Sequence, residues 1–279
     1  MFQDILKKHI PNEKYVHFEN ALSQLINSYS TNKLLEIFSR VYQWNYDTKI
    51  REEDIKKLKS TTPYIEFSYW SLEDFLRAAI FEKISNVEQY QYVEAFRKSY
   101  RIADTKEQCS LLKILATTKY KVNFLPLALD AIRTNIPDVL AALACGNPYP
   151  CEFFTLQEFN NMVLKAVFMN ISVATIYGIK QKNNSELSRM VNQYIDEREA
   201  ANRDFPHELW LIVTPFSNEK EKQRIYKYLQ HSSADHRYWV ARALLLEKQP
   251  QYSLIKQQIE IEKNQEIKDV LQQVIGDNK

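Results

Sequence analysis

The chain has 279 residues, enough to bury a full hydrophobic core as one extended unit or as two domains. Its 37 basic and 35 acidic side chains leave a formal net charge of +2, so no global field draws it onto nucleic acid or anionic lipid. Only Gly146, Gly178 and Gly276 are glycine, which excludes the glycine-dense turns of a backbone phosphate cradle or a dinucleotide fingerprint.

In chain order, Met1 to Ile10 carries no apolar run of the signal-peptide kind, and no stretch approaches the roughly 18 apolar residues of a membrane span. The expectation is a cytoplasmic protein that does not span a membrane. Asn12 precedes a stripe of Val16, Ala21, Leu22, Leu25, Ile26 and Tyr29, near helical period. Leu34, Leu35, Phe38, Val41 and Tyr42 form the next stripe. A short charged helix over 52–59 is followed by an irregular stretch around Pro63–Trp70.

Ser71 with Asp74 reads as a capping box opening Leu72, Phe75, Leu76, Ala79 and Ile80, and Asp104 with Glu107 reads as another. Between them Asn86 starts a tyrosine-rich helix reaching Tyr100. Pro126 and Pro137 each suit the first turn of a short helix. Cys109, Cys145 and Cys151 lack metal spacing and make no disulfide framework.

Residues 132–216 hold the most distinctive chemistry. Thr155 with Glu158 caps a helix whose Phe159, Met162, Val163 and Ala166 face inward, while Asn161 and Lys165 share another face. Gly178 reads as a helix stop. Asn184 or Ser185 opens the next helix, with Leu187, Met190, Val191 and Tyr194 inward. Arg198 lies four residues beyond Tyr194, so its guanidinium needs a carboxylate, a carbonyl or a ligand oxygen.

Beyond residue 217, helices at 218–231, 234–248, 251–263 and 265–275 follow one another with joints of a few residues. Residues 235–242 resemble the second helix of a HEAT-type repeat. The fold expected is all-α, with stacked antiparallel helix pairs forming an α-α superhelix without significant β-sheet. No linker marks a boundary, so 1–279 reads as a single domain, with a repeat-like part over 217–279.

Asn147-Pro148-Tyr149-Pro150, Asn161 to Ala166, Tyr194 to Arg203 and Leu209-Trp210, preceded by Arg133-Thr134-Asn135, together resemble the EboA family of metabolite-traffic proteins. The match is clearest over 132–216. The family usually has Trp-Asn-Gln where Phe159-Asn160-Asn161 stands, and Gly where Asn202 stands. The resemblance implies an operon-encoded bacterial protein that helps move a secondary metabolite, or its precursor, from cytoplasm towards the cell envelope. It implies no catalytic residues.

The preferred expectation is a non-catalytic binder of a small aromatic or anionic metabolite, or of a product of the same operon, with no cofactor, metal or nucleic acid. Arg133, Asn135, Asn147, Tyr149, Asn161, Lys165, Arg198, Arg203 and Trp210 are its candidate binding residues, with Phe154 as a further wall. One alternative is a hydrolase or isomerase using His207, Glu208 and Lys165. The other is a helical-repeat scaffold with exposed anchors such as Tyr226, Tyr228 and Tyr238.

Overall fold

The computed structural model describes residues 1–46 and 48–276. Asp47 and the last three residues of the 217–279 part lie outside the described residues. Helices make up 72% of the structure, and there is no sheet among the described residues. The chain divides into two compact units, Met1–Met162 and Val163–Lys279.

The first unit holds α1 (Phe2–His9), α2 (Asn12–Asn27), α3 (Thr31–Ser39), α4 (Glu52–Thr61), α5 (Leu72–Lys83), α6 (Gln89–Ile102), α7 (Thr105–Ile114), α8 (Leu125–Ala131), α9 (Pro137–Ala144) and α10 (Tyr149–Phe153). The unit boundary falls within α11 (Leu156–Phe168). The second unit continues with α12 (Ile179–Lys182), α13 (Ser185–Ala200), α14 (Trp210–Val213), α15 (Glu219–Tyr228), α16 (Ala234–Leu244), α17 (Tyr252–Ile261) and α18 (Gln265–Gly276).

In the first unit α5 is the core element. Leu72, Phe75, Leu76, Ala78, Ala79, Ile80 and Phe81 are all buried, so it is apolar on nearly every side and packs against α1, α3 and α7. Its capping box forms as expected, with Ser71 Oγ accepting from Asp74 N and Asp74 Oδ2 from Ser71 N. The Asp104–Glu107 box forms too. Asp74 also accepts from Ser110 Oγ at 2.5 Å and Lys113 Nζ at 2.7 Å, which compensates a carboxylate placed in the core.

Some helical faces are turned from the expected ones. On α2 the buried line is Tyr15, Phe18, Leu22 and Leu25, whereas Val16 and Ile26 are exposed. The aromatic bulk of Tyr15 and Phe18 sets the seam there. Tyr42 is 66% exposed, and Ile37 takes the inward place beside Phe38. The tyrosine-rich helix starts at Gln89, three residues after Asn86.

Gly146 is a position only glycine suits. Its φ is +59°, and a Cβ there would stand 2.4 Å from Glu66 Cβ. Gly178 also has positive φ (81°), but it opens α12 rather than closing a helix. The residue that ends α11 is Asn170, at φ 55°, with Ile171 N–H donating back to the Ala166 carbonyl.

In the second unit the buried side chains of α14 (Trp210, Leu211, Ile212, Val213) pack against α16, and α16 packs in turn against α18. Asn218 makes a capping box with Glu221 for α15, and Asn264 Oδ1 accepts from Glu266 N and Ile267 N to start α18. No described helix is long and apolar enough to cross a membrane.

Candidate functional site

The second unit contains a cleft of about 1090 Å³, walled by the C-terminal end of α13, the turn after it, α15 and the start of α16. Helix α13 begins on the Asn184 side chain, which accepts from Glu186 N and Leu187 N. It ends in a Schellman turn. Asn202 adopts φ 50°, its N–H donates to the Glu199 carbonyl, and Arg203 N–H donates to the Arg198 carbonyl at 2.8 Å. This turn presents Arg203 and Asp204 to the cleft, and Asn tolerates the left-handed conformation it needs better than most residues.

Arg198 completes the turn. Its Nε and Nη2 donate to the Asp204 carbonyl, the Nε bond at 2.8 Å, and the guanidinium lies 6.0 Å from the Tyr194 ring centre. The oxygen that Arg198 requires is therefore a backbone carbonyl.

Aromatic rings form the floor. Phe205, Tyr228 and His236 lie within 5.6 Å of one another, centre to centre, and His231 stacks on Tyr228 at 5.1 Å and 14°. Beneath them the buried Trp210 donates its indole N–H to His236 Nδ1 at 3.2 Å. An accepting Nδ1 carries no proton, so the neutral imidazole has its proton on Nε2, which faces Asp204 Oδ1 at 2.9 Å. Burial pushes the His236 imidazole below its ordinary value, against the opposing pull of Asp204.

Asp204 also meets His207, whose Nε2 lies 3.3 Å from Oδ2, and it accepts from Phe205 N–H. The bonds from His236, Phe205 and His207 hold this carboxyl below the usual carboxylate range, although partial burial works the other way.

Donor atoms of Asp204, His207 and His236 lie within 4.8 Å of one another, close enough to raise a metal as a question. A metal-bound imidazole normally donates from its other nitrogen to an acceptor. Here that nitrogen accepts from an indole, so the trio as it stands is a hydrogen-bonded network.

The rim is cationic. Lys220, Gln223, Arg224 and Lys227 lie at i, i+3, i+4 and i+7 of α15, one helical face, and all line the cleft with Arg203. Arg224 is committed to Asp196, Asn192 and Glu199. Arg203, Lys220 and Lys227 are exposed, with no carboxylate in ion-pair range among the described residues.

Of the residues picked from sequence, Arg203 lines the cleft, while Arg198, His207 and Trp210 hold the groups that line it. His207 pairs with Asp204, not with the adjacent Glu208, which is half-buried. Lys165 is half-buried on α11.

In the first unit Asn147 is buried. Its amide donates to the Leu112 and Ala142 carbonyls at 3.0 and 3.2 Å, and its oxygen accepts from Tyr149 N. Tyr149 is fully buried and donates to the Lys121 carbonyl at 2.7 Å, and Phe154 is buried. Arg133 is exposed beside Asp130, and Asn135 and Asn161 are exposed; on α11 it is Asn160 that is buried. Of the three tyrosines named as exposed anchors, Tyr226 is buried, accepting from Gln251 N and bonded to Glu247, because its hydroxyl finds a partner inside. Tyr228 and Tyr238 are half-buried.

Asp204, Lys220, Lys227, His231 and His236 were not picked from sequence, and Tyr228 was named only as an anchor for a protein partner. The i, i+3, i+4, i+7 spacing of polar residues on 220–227 was the signal for Lys220 and Lys227. Nothing local pairs Asp204 with His236, 32 residues away.

Comparison with curated proteins and with solved structures finds no match. A family model described as metabolite traffic protein EboA matches residues 1–214, so the match reaches back to the first residue instead of beginning near 132. With Arg198, Arg203, Asp204 and Trp210 inside the matched span and α15 and α16 beyond it, the chain belongs to the EboA family of metabolite traffic proteins.

Proposed function

We propose that the chain serves metabolite traffic as a non-catalytic carrier, holding a small aromatic, anionic metabolite in the cleft of its second unit. One observation carries this reading: an aromatic floor of Phe205, Tyr228, His231 and His236 lies under a rim bearing Arg203, Lys220 and Lys227. A flat apolar body stacks on the rings while its anion reaches the cations. Arg198 and Trp210 act from behind, through Asp204 and His236. The cargo is a bacterial secondary metabolite or its precursor, moved from the cytoplasm towards the envelope; the family's description supports the metabolite-traffic part of this reading.

The test is native mass spectrometry and thermal denaturation of the purified chain with metabolite extracts, alongside Arg203→Ala. A retained compound that stabilises the wild type and not the variant supports the carrier. An extract that leaves both melting curves unmoved removes it.

A second reading, acid–base turnover of a small molecule, is favoured by one contact, His207 Nε2 to Asp204 Oδ2. Carboxylate support orients an imidazole for proton transfer. Turnover of pathway intermediates that vanishes in His207→Ala would establish it, and unchanged substrate with the wild type would end it.

A further inference from the structure

The polar groups lining the cleft are unevenly satisfied, and the imbalance bears on the chemistry of the ligand. Both carboxylates are occupied. Glu199 accepts from Tyr228 Oη at 2.7 Å and lies 3.5 Å from Arg224, and Asp204 is held by the two histidines. The unmet charged groups are donors. Among the described residues, Arg203, Lys220 and Lys227 have no acid partner, and Arg224 Nε is buried without an acceptor.

His231 adds a neutral donor of fixed direction. Its Nδ1 accepts the Ser233 N–H at 3.1 Å, so Nε2 carries the proton, and stacking on Tyr228 fixes the ring plane. Arg224 is neutralised by Asp196 and Glu199, which leaves three cations, Arg203, Lys220 and Lys227, on a lining whose other carboxylate is Asp204. A carboxylate supplies one negative charge, whereas a phosphomonoester supplies about 1.5 to 2 at neutral pH, with three acceptor oxygens.

We infer that the anionic group bound in this cleft is a phosphoryl dianion, received by Arg203, Lys220, Lys227 and His231 Nε2–H. This rests on the carrier reading and narrows its cargo to a phosphorylated small molecule or a phosphate headgroup. With three glycines in the chain, a backbone cradle is not the means. Side chains perform the recognition, with three of the cationic and amide donors repeating along one face of α15 beside Lys227.

The test is calorimetric titration of the full chain at pH 7.5 and fixed ionic strength with phenyl phosphate, phthalate and benzoate. Phenyl phosphate is expected to bind about tenfold more tightly than either carboxylate, and the advantage to shrink as salt screens the rim. Lys227→Gln and His231→Phe, the latter keeping the stacked ring, are each expected to weaken it about fivefold. Lys227 is exposed, so its variant keeps the fold. Phosphatidic acid vesicles form a parallel arm: binding to vesicles and not to phenyl phosphate makes the source of the phosphoryl group a lipid.

Benzoate or phthalate binding as tightly as phenyl phosphate overturns the phosphoryl assignment and leaves the carrier reading standing. Phosphate binding unchanged in both variants overturns the placement. Failure of phenyl phosphate and vesicles alike also overturns the inference, and the extract experiment then decides the carrier reading separately.

Discussion

Trp210 and His236 meet in the interior of the second unit, where the indole Nε1–H donates to the imidazole Nδ1 across 3.2 Å. That bond matches the tautomer that turns a proton towards Asp204. Trp210→Phe leaves a buried ring nitrogen unmatched and is expected to cost about 1–3 kcal/mol, measured by urea unfolding. Asp204 Oδ1 still accepts from Nε2, so imidazole nitrogen shifts are expected to keep the Nε2–H form in the variant. An unchanged urea midpoint would show that the indole bond contributes nothing.

The same burial gives a pH dependence. Asp204, His207, His231, Tyr228 and Trp210 surround His236, and its folded-state pKa lies below the ordinary 6.5, burial being the largest cause. Below 6.5 the unfolded chain takes up a proton that the folded chain resists. His236 therefore contributes stability above 6.5 that is lost as pH falls through its folded value. Urea midpoints at pH 7.5, 6.5 and 5.5 are expected to decline in the wild type and to decline less in His236→Gln. Asp204, whose pKa is also lowered, acts below this window because its ordinary value is 3.8.

Glu262 and Arg237 form a bidentate pair at 2.8 and 3.0 Å, with the carboxylate side chain 1% exposed. Hydrogen bonds from Arg237, Asn264 N and Gln258 outweigh burial and bring Glu262 down to about 2. Its stabilisation is present above 4.5 and lost as pH falls from 4.5 towards 2. Glu262→Gln, which leaves the Arg237 guanidinium with only the His231 and Ser232 carbonyls as strong acceptors, is expected to lower stability at pH 7 by about 3 kcal/mol in denaturant titration.

Gly146→Ala places a methyl group 2.4 Å from Glu66 Cβ at a backbone φ of +59°. Neither the backbone nor that Cβ can yield cheaply. The expected loss is at least about 2 kcal/mol, read from the thermal midpoint, and a variant as stable as the wild type would refute the close approach.

Asn147→Ala and Arg203→Ala should separate scaffold from cleft. The first removes two buried amide bonds and is expected to cost about 2–3 kcal/mol. The second removes an exposed cation and is expected to change stability by less than about 0.5 kcal/mol while weakening ligand binding about tenfold. Equal effects of both on binding would argue against the cleft.

Local chemistry was enough to read the capped helices from the sequence, but not the short α1, α10, α12 and α14. Ser71–Asp74, Asp104–Glu107 and Thr155–Glu158 are contacts between residues three apart, so the pattern that predicts them is also the interaction that forms them. Asn202 in place of a glycine could be read likewise, since one residue's φ decides it. Tertiary structure decided the rest. Whether Val16 or Phe18 faces inward on α2 depends on the helices around it, not on period alone. Asn147 looked the same in sequence whether it would serve a ligand or the Leu112 and Ala142 carbonyls. The cleft itself arises because a Schellman turn sets Asp204 against a histidine on α16 and a cationic face of α15, a convergence of side chains up to 32 residues apart that no local spacing encodes.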